Sequence, residues 1–491
     1  MRRHGKVIFG IAVGAAVGAC AVDQAREVGE YREMAAVGAR ATLDAGEGLS
    51  LERALRLAAQ DNERLAIEGE NLVQALADKQ RSTAALLPTV DLFGTYVFRE
   101  NVGDAGAGGG GASASNAKNT LFDGGFRAQY TLLTGMSDYA TARSLDATIE
   151  QRRWMVLDLR ETLLLDTARA YYTVMAAEQL VSVRESSAAV QAERLRDIRG
   201  RQEVGFARPL DVAQVESQAS ATAVSLLDAE RAVRNARTSL SLLTAVSAGG
   251  VSLTDGFNPP DGALGERPDD GVIALAMEQR QDVIAADAAV RASRELVDAE
   301  IGRYDPTVTV NLEYFLTRQT VPSDRDWTGL LTLNLPLFSA GRIDADVRAA
   351  WSVFRQDLLT LSLTKRQVES DVRIAHEDLR SARLRVSELE RQVRAAEEAL
   401  RQAEASYAAG LGTNLERIAA QDQVLSAQLG LARERYVVKI ANLALRRATG
   451  VLTESAIAGV PPLPKPRYQG VALPESPFVN LPGLSRPSSG E

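Results

Sequence analysis

The sequence has little of the chemistry that metal sites and disulfide frameworks need. Its 491 residues include one cysteine, Cys20, and two histidines, His4 and His376. So small a set excludes a Cys/His zinc centre and an intramolecular disulfide framework. Aromatic residues make up only 5% of the chain, which favours a few very long elements over several bulky globular cores. The net charge of −8 argues against a nucleic-acid binder, which would present a basic face.

The N-terminal segment has the features of a secretory signal peptide. A basic start is followed by an apolar run at 7–19, which is too short to span a bilayer. The run ends in Val17-Gly18-Ala19-Cys20, which resembles a bacterial lipobox. The sequence therefore predicts a signal peptide at 1–19 and a covalent lipid on Cys20. Ordinary signal cleavage, with Cys20 as an idle thiol, is the alternative. The next residue is Ala21 and not aspartate, which favours the outer membrane.

Two parts of the chain share one sequence plan. The segment 87–92 (LPTVDL) matches 305–310 (DPTVTV), and 204–211 (VGFARPLD) matches 409–416 (AGLGTNLE). The first part is longer between these landmarks, and the Gly/Ala/Ser run 103–115 has no counterpart in the second. This run is predicted to be a flexible inserted loop. The internal similarity predicts a structural repeat.

Each repeat is predicted to run helix, two strands, very long helix, tight turn and long return helix. Eight of the 16 prolines lie in the tail, which predicts an extended conformation there. The predicted boundaries are a signal peptide at 1–19, a lipidated N-terminal segment at 20–48, repeat 1 at 49–248, a linker at 249–270, repeat 2 at 271–452 and the Pro-rich tail at 453–491.

Strict alternation of apolar and polar residues predicts two strands in each repeat. From Val308 to Leu316 every second residue is apolar. Strands of about 10–12 residues match the ~9–11 residues of a tilted membrane strand, although a β-sandwich strand would look similar. Four strands cannot close a barrel, because about eight is the smallest working number. A barrel would therefore be shared between subunits. The predicted strands are 89–99, 122–133, 307–318 and 327–337.

An unbroken 4/3 spacing of small and apolar residues predicts a coiled-coil helix from Arg342 to Ala409. At ~1.5 Å per residue such a helix is about 100 Å long. The predicted hairpin tips lie near residues 205 and 410, where glycines allow a tight reversal. The seam positions are Val368, Val372, Ala375, Leu379, Ala382, Val386, Leu389, Val393, Ala396, Leu400, Ala403 and Tyr407.

Several of these motifs together resemble the TolC family of outer-membrane factors. They are the repeated order, Leu87-Pro88-Thr89 before the first strand, Pro336–Gly341 (PLFSAG) before the long helix and Ser406–Leu415 (SYAAGLGTNL) at the second tip. The lipobox is similar to that of the OprM-like lipoprotein branch. The resemblance covers Leu49 to about Leu452. It implies an α+β membrane protein that forms a homotrimer. Each chain would give four strands to a shared twelve-stranded β-barrel, and this barrel would continue into a long periplasmic α-helical coiled-coil barrel.

The resemblance also implies a gate at the hairpin tips. In the family pattern a tyrosine, here Tyr407, donates a hydrogen bond to an aspartate, here Asp211, and holds the tunnel closed. A second family latch uses an arginine where this chain has Gly412, and Arg208 is the candidate replacement. Tyr407 as simply the last seam residue is the alternative. His376 is interpreted as structural.

Carboxylates near the second tip are candidates for an acidic pore ring. The resemblance places one ring residue at Glu416. The second ring position falls on Ala419, which carries no charge, so Asp422, one helical turn further on, is the candidate substitute. Rings of carboxylates favour cations in a narrow pore. Both residues as ordinary solvated helix positions are the alternative. The tip residues expected to dock an adaptor are Gly205, Phe206, Pro209, Gly410, Leu411, Gly412 and Thr413.

The resemblance implies a non-enzymatic duct with no cofactor or metal beyond the lipid on Cys20. Its expected partners are two further copies, a periplasmic adaptor, an inner-membrane transporter and outer-membrane lipid, with no nucleic acid. Export of small molecules in a tripartite efflux pump is the first hypothesis. Type I protein secretion is the second, and a periplasmic coiled-coil adaptor or scaffold is the third, which the predicted barrel strands disfavour.

Overall fold

A computed structural model describes most of the chain from residue 48 to residue 452. The described ranges are 48–98, 120–246, 250–254, 269–319 and 325–452. The predicted signal peptide, Cys20, the 103–115 insertion, most of the 249–270 linker and the Pro-rich tail lie outside the described residues.

Two very long helices dominate the fold. In chain order the helices are α1 (Leu51–Asp61), α2 (Glu63–Ala84), α3 (Ser137–Glu203), α4 (Pro209–Thr244), α5 (Asp269–Gln279), α6 (Gln281–Ile301), α7 (Arg342–Ala408) and α8 (Asn414–Ala448). The helices α3 and α7 contain 67 residues each, so each is about 100 Å long at ~1.5 Å per residue. We call α3 with its return helix α4 hairpin 1, and α7 with its return helix α8 hairpin 2.

Each hairpin reverses at a glycine with a left-handed backbone conformation. Gly205 has φ +81° and Gly410 has φ +74°, a region that disfavours any side chain. The return helices then begin at clear start signals. Pro209 occupies the first turn of α4, and the Thr413 hydroxyl accepts a hydrogen bond from the Glu416 N–H at 3.2 Å to cap α8. These local signals place both turns where the sequence predicts the tips.

The predicted seam of α7 faces the other helices along its whole length. All twelve seam positions are buried or half-buried. Near the middle of α7, Val372 and Leu379 pack with Ala441 and Leu445 of α8. Closer to the tip, the small residue Ala396 packs against α8. The many alanines therefore allow the close helix packing that a coiled coil of small residues requires.

The strands form one antiparallel sheet and one short parallel pair. In chain order they are β1 (Leu49–Ser50), β2 (Thr89–Phe98), β3 (Thr120–Thr134), β4 (Leu253–Thr254), β5 (Thr307–Thr317) and β6 (Trp327–Asn334). The sheet has the order β2-β3-β5-β6, so the two predicted strand pairs join through β3 and β5. The strand β6 ends three residues before the predicted position 337. Pro336, two residues beyond its end, has no N–H to donate to a neighbouring strand.

The strand register gives the sheet one apolar face and one mainly polar face, which also carries Phe93, Phe315 and Leu330. Val310 of β5 lies between Tyr130 of β3 and Leu331 of β6 on the apolar face. On the other face Arg127 lies directly opposite Glu313, and their side chains form a salt bridge of 2.7 Å. All eight residues of β6 are exposed, and Leu331 is 67% exposed. The apolar face thus lacks a cover within the described part of this single chain.

The main core lies where the return helices α4 and α8 end, away from the hairpin tips. There α1 packs against the middle of α3 and against the ends of α4 and α8. The Tyr171 hydroxyl lies 2.7 Å from the Leu49 carbonyl and 2.8 Å from the Thr254 carbonyl, and accepts from the Thr254 N–H at 3.1 Å. This fully buried tyrosine therefore fixes the parallel pair of β1 and β4 to α3.

A buried carboxyl group lies where α3, α6 and α8 meet. Glu161 is 4% exposed; its Oε1 accepts a hydrogen bond from Gln281 Nε2 at 2.6 Å, and its Oε2 lies 3.8 Å from Arg447 Nη1. Arg447 Nη2 also donates a hydrogen bond to Asp158 Oδ1 at 2.5 Å. Burial raises the pKa of Glu161 to about 7, although Arg447, the Gln281 hydrogen bond and Arg280 oppose the shift, and the Asp158 charge adds to it.

We expect Glu161→Gln to stabilise the protein at high pH. The pKa of Glu161 in the folded chain exceeds its ordinary value of 4.5, so the folded state binds the extra proton between about pH 4.5 and pH 7. The contribution of Glu161 to the free energy of unfolding therefore falls through this window and stays low above it. At pH 8 the substitution should raise that free energy by on the order of 3 kcal/mol per chain at most. At pH 4.5 it should change little.

Thermal unfolding of the detergent-solubilised full chain at pH 4.5 and pH 8 measures this difference. The control is Glu369→Gln, which removes an exposed carboxylate paired with Arg373 on α7 and should have a small effect at both pH values. A drop in the midpoint of Glu161→Gln at pH 8 would show that the ionised carboxylate stabilises the fold through Arg447.

Candidate functional site

The tip of hairpin 1 holds the predicted gate residue Asp211 in a local ion pair. The Arg208 guanidinium donates to the Asp211 carboxylate at 3.0 and 3.1 Å, and the Arg208 backbone N–H donates to it at 3.2 Å. These bonds hold the pKa of Asp211 below its ordinary value. Both residues stand at the start of α4, as N-cap and third helical residue. In this chain the Asp211 carboxylate therefore caps the start of α4 by accepting from the Arg208 N–H, and the Arg208 guanidinium holds that carboxylate in place.

The predicted partner Tyr407 makes a different contact. The central guanidinium carbon of Arg417 lies over the Tyr407 ring, 4.4 Å from its centroid. The guanidinium carbon of Arg201 lies 6.0 Å from the same centroid. Within the described part of the chain, no hydrogen bond joins Tyr407 to Asp211. The tyrosine–aspartate latch implied by the family resemblance stays a prediction for an assembled protein, while the ring contact with Arg417 belongs to the single chain.

Glu416 has a structural role at the start of α8. Its carboxylate accepts a hydrogen bond from the Thr413 N–H at 3.0 Å and completes a capping box. A Cβ at Gly412 would come within 3.1 Å of the Ser406 side chain and 3.3 Å of the Glu416 carboxylate. The tight turn thus fits glycine at position 412, and the carboxylate of the predicted ring residue Glu416 is directed toward its own helix end.

Asp422 joins the two hairpins. Its carboxylate accepts hydrogen bonds from Gln218 Nε2 of hairpin 1 at 3.2 and 3.4 Å. Burial raises the pKa of Asp422, and the bond from Gln218 and the charge of Arg194 oppose that rise. The predicted ring residue is therefore an exposed side chain that bridges the two hairpins in this chain.

A small apolar cluster also holds the two tips together. Ile198 of α3 and Val212 and Val215 of α4 are buried, and Ile418 of α8 packs against them. In contrast, Phe206 and Leu411 at the two turns are each 87% exposed. The tips thus combine an apolar contact between hairpins with apolar residues that face outward at their ends.

The sequence-based prediction missed the polar residues that lie between the hairpins. Arg194 forms an ion pair with Glu404, Gln218 donates a hydrogen bond to Asp422, and Arg201 lies over the Tyr407 ring. One signal was present in the sequence: Ser187, Gln191, Arg194 and Ile198 follow 4-3-4 spacing and so share one face of α3. His376 is half-buried on α7 beside Ala375, and its structural interpretation stays a prediction.

Comparison with known proteins points to one family. The sequence model of the outer membrane efflux protein family matches residues 272–451. The outer membrane efflux protein BepC of Brucella suis is 25% identical over 336 residues, which cover 67% of this chain and 72% of BepC. These matches indicate an outer membrane efflux protein of the TolC family. TolC of Vibrio cholerae is 23% identical over 310 residues, covering 61% of this chain and 70% of that protein.

Solved structures show that this chain has the fold of outer-membrane channels. A membrane protein of Pseudomonas aeruginosa superposes with a TM-score of 0.73 at 19% identity, covering 82% of this chain and 92% of that one. The outer membrane channel CmeC of Campylobacter jejuni gives 0.71 at 16% identity, covering 82% and 85%. The family resemblance stated from the sequence is thus confirmed, and the protein is an efflux channel protein of the outer membrane.

Two further searches concern membrane helices and metals. None of the helices in the described ranges has an apolar stretch of the length and purity needed to cross a bilayer. Among the same residues, no group of three or more His, Cys, Asp or Glu side chains is placed to hold a metal ion.

Proposed function

We propose that three copies of this chain form a passive export duct, with a shared twelve-stranded β-barrel in the outer membrane and a coiled-coil α-helical barrel in the periplasm. The sheet edges carry this proposal. In the described part of one chain, β2 and β6 each pair on one side only. Unpaired edges invite strand addition, and closure of a barrel removes them. Four strands fall short of the roughly eight that a barrel needs, so the barrel must be shared between chains, and the family resemblance implies three of them.

Apolar side chains on the flanks of the hairpins support the same assembly. Leu227 and Leu242 of α4 are 63% and 76% exposed, and Leu359 and Leu363 of α7 are 69% and 58% exposed. Large exposed apolar surfaces mark contacts with other chains or with lipid. In a ring of three chains, α4 of one copy would face α7 of the next and cover these residues.

We further propose that the duct serves a tripartite pump for small molecules. The toluene efflux pump outer membrane protein TtgC of Pseudomonas putida is 23% identical over 352 residues, covering 67% of this chain and 70% of TtgC. The exposed Phe206 and Leu411 at the tips suit docking of a periplasmic adaptor. An inner-membrane transporter supplies the energy, since the duct has no catalytic role. The lipobox-like sequence supports an OprM-like lipid anchor on Cys20.

Dye accumulation in whole cells tests the efflux role. Cells that lack this chain are expected to retain more of a fluorescent apolar dye than the parent strain, and the wild-type chain should restore export. Unchanged dye retention together with loss of a secreted protein from the medium would support type I secretion instead. Recovery of the chain in the soluble periplasm would contradict both channel functions.

A further inference from the structure

The mainly polar face of the sheet carries two phenylalanines that meet across a glycine. Phe93 of β2 and Phe315 of β5 both pair with Gly125 of β3. A Cβ at Gly125 would lie 2.1 Å from the Tyr314 carbonyl oxygen, so no side chain fits at this position. The two rings pack edge to face, with their centroids 5.8 Å apart and their planes at 87°. The glycine thus allows a pair of aromatic rings in a face that is otherwise mainly polar.

An arginine lies over each of these rings. The guanidinium carbon of Arg127 is 4.8 Å from the Phe93 centroid, and that of Arg318 is 4.2 Å from the Phe315 centroid. A guanidinium is planar, so one of its faces can rest on a ring while the other face accepts a second flat group. Both rings are half-buried and Arg127 is exposed. Solutes can therefore reach these four residues, which we call the Phe–Arg cluster, from the open side of the sheet.

The two arginines of the Phe–Arg cluster differ in how their charge is compensated. Arg127 Nε lies 2.7 Å from Glu313 Oε1, so an acid already compensates its charge. Arg318 Nη1 donates instead to a neutral hydroxyl, Thr328 Oγ1, at 3.3 Å. Its Nε is buried without an acceptor, and among the residues that the structure describes no carboxylate lies within salt-bridge distance of it. Arg318 therefore holds a positive charge beside an aromatic ring without an acid to pair with it.

We propose that the Phe–Arg cluster binds planar aromatic anions, with Arg318 on Phe315 as its centre. The flat ring of such a solute stacks on the open face of the Arg318 guanidinium, and the positive charge attracts its carboxylate or sulfonate group. The inference rests on the proposed function, because this face would line the water-filled interior of the shared barrel. It names a class of solute that the duct binds in transit, at one site in each chain.

Isothermal titration of wild-type particles in lipid nanodiscs with three small probes tests this site. Naphthalenesulfonate has a flat ring and a negative charge, cyclohexanesulfonate has the same charge without a flat ring, and naphthylmethylammonium has the flat ring with a positive charge. Titration of empty nanodiscs measures the partition of each probe into lipid. We expect one naphthalenesulfonate bound per chain and weaker binding of the other two probes. Equal affinity for all three probes would overturn the inference.

Two variants of Arg318 separate its flat surface from its charge. Arg318→Gln should weaken naphthalenesulfonate binding by roughly 2- to 30-fold, the value of one contact between an arginine and an aromatic ring. Arg318→Lys keeps the charge but has no flat surface, so its affinity for naphthalenesulfonate should fall to about that for cyclohexanesulfonate.

The matched control is Arg348→Gln on α7, which makes the same charge change. Arg348 is exposed and pairs with Asp344 of its own helix at 3.0 Å, so this variant should bind all three probes as the wild type does. Equal losses in Arg348→Gln and Arg318→Gln, or wild-type binding by Arg318→Gln, would overturn the inference alone. Wild-type particles that contain a single chain would overturn the proposed function and the inference with it.

Discussion

Leu331→Arg should prevent assembly of the protein in the outer membrane. Leu331 lies on the apolar face of β6, opposite Val310 of β5, and is 67% exposed in the single chain. If this face contacts lipid, an arginine near the bilayer midplane costs about 2–4 kcal/mol in a barrel. Three copies of the chain would incur the cost three times. We expect little or no Leu331→Arg protein in outer-membrane fractions, under expression conditions in which the wild-type chain reaches its normal level there.

The adjacent residue supplies a control on the same strand. Thr332 pairs with Thr309 of β5 on the polar face, which also carries the Arg127–Glu313 ion pair. Thr332→Arg should reach the outer membrane at close to the wild-type amount, because this face would line the water-filled interior. Normal insertion of Leu331→Arg combined with loss of Thr332→Arg would reverse our assignment of the two faces.

Tyr407→Ala should raise the single-channel conductance several-fold. The Tyr407 ring centroid lies 4.4 Å from the Arg417 guanidinium and 6.0 Å from that of Arg201 on hairpin 1. An arginine over an aromatic face is worth roughly 0.5–2 kcal/mol, and loss of the ring removes both contacts. The tip of hairpin 2 would then separate more easily from hairpin 1, and the closed tip would widen.

Tyr407→Phe identifies which part of the side chain acts. Phenylalanine keeps the ring and removes only the hydroxyl, so we expect a conductance near that of the wild type. A rise as large as that of Tyr407→Ala would show that the hydroxyl is the important group. That result would support the tyrosine–aspartate latch implied by family resemblance, in which Asp211 exchanges its bond with Arg208 for one with Tyr407 in the trimer.

The long-range architecture could be predicted from the sequence because its signals are periodic and repeated. Twelve positions at 4/3 spacing set the buried side of α7, and strict alternation set the faces of β5. Local chemistry set the turns, because Gly205 and Gly410 allow a backbone that other residues resist. Each of these features depends on neighbours in the sequence, which a single sequence displays directly.

The contacts between the hairpins could not be predicted in the same way. Whether Arg194 meets Glu404, and whether Asp422 faces the pore or Gln218, depends on the rotation of one hairpin against the other. Periodicity fixes which residues share a face, but it does not fix which face meets which neighbour. The Arg208–Asp211 pair was missed for another reason: both residues were assigned to a gate by resemblance, while their spacing of three also fits a helix cap.

The number of chains in the native particle tests the central claim most directly. Native mass spectrometry of the wild-type protein, extracted from outer membranes in mild detergent, counts the copies in each particle. The open edges of β2 and β6 and the exposed flanks of α4 and α7 predict association of identical chains, and the family resemblance predicts three of them in each particle. Particles that contain a single chain, with the four-stranded sheet left open, would contradict the account.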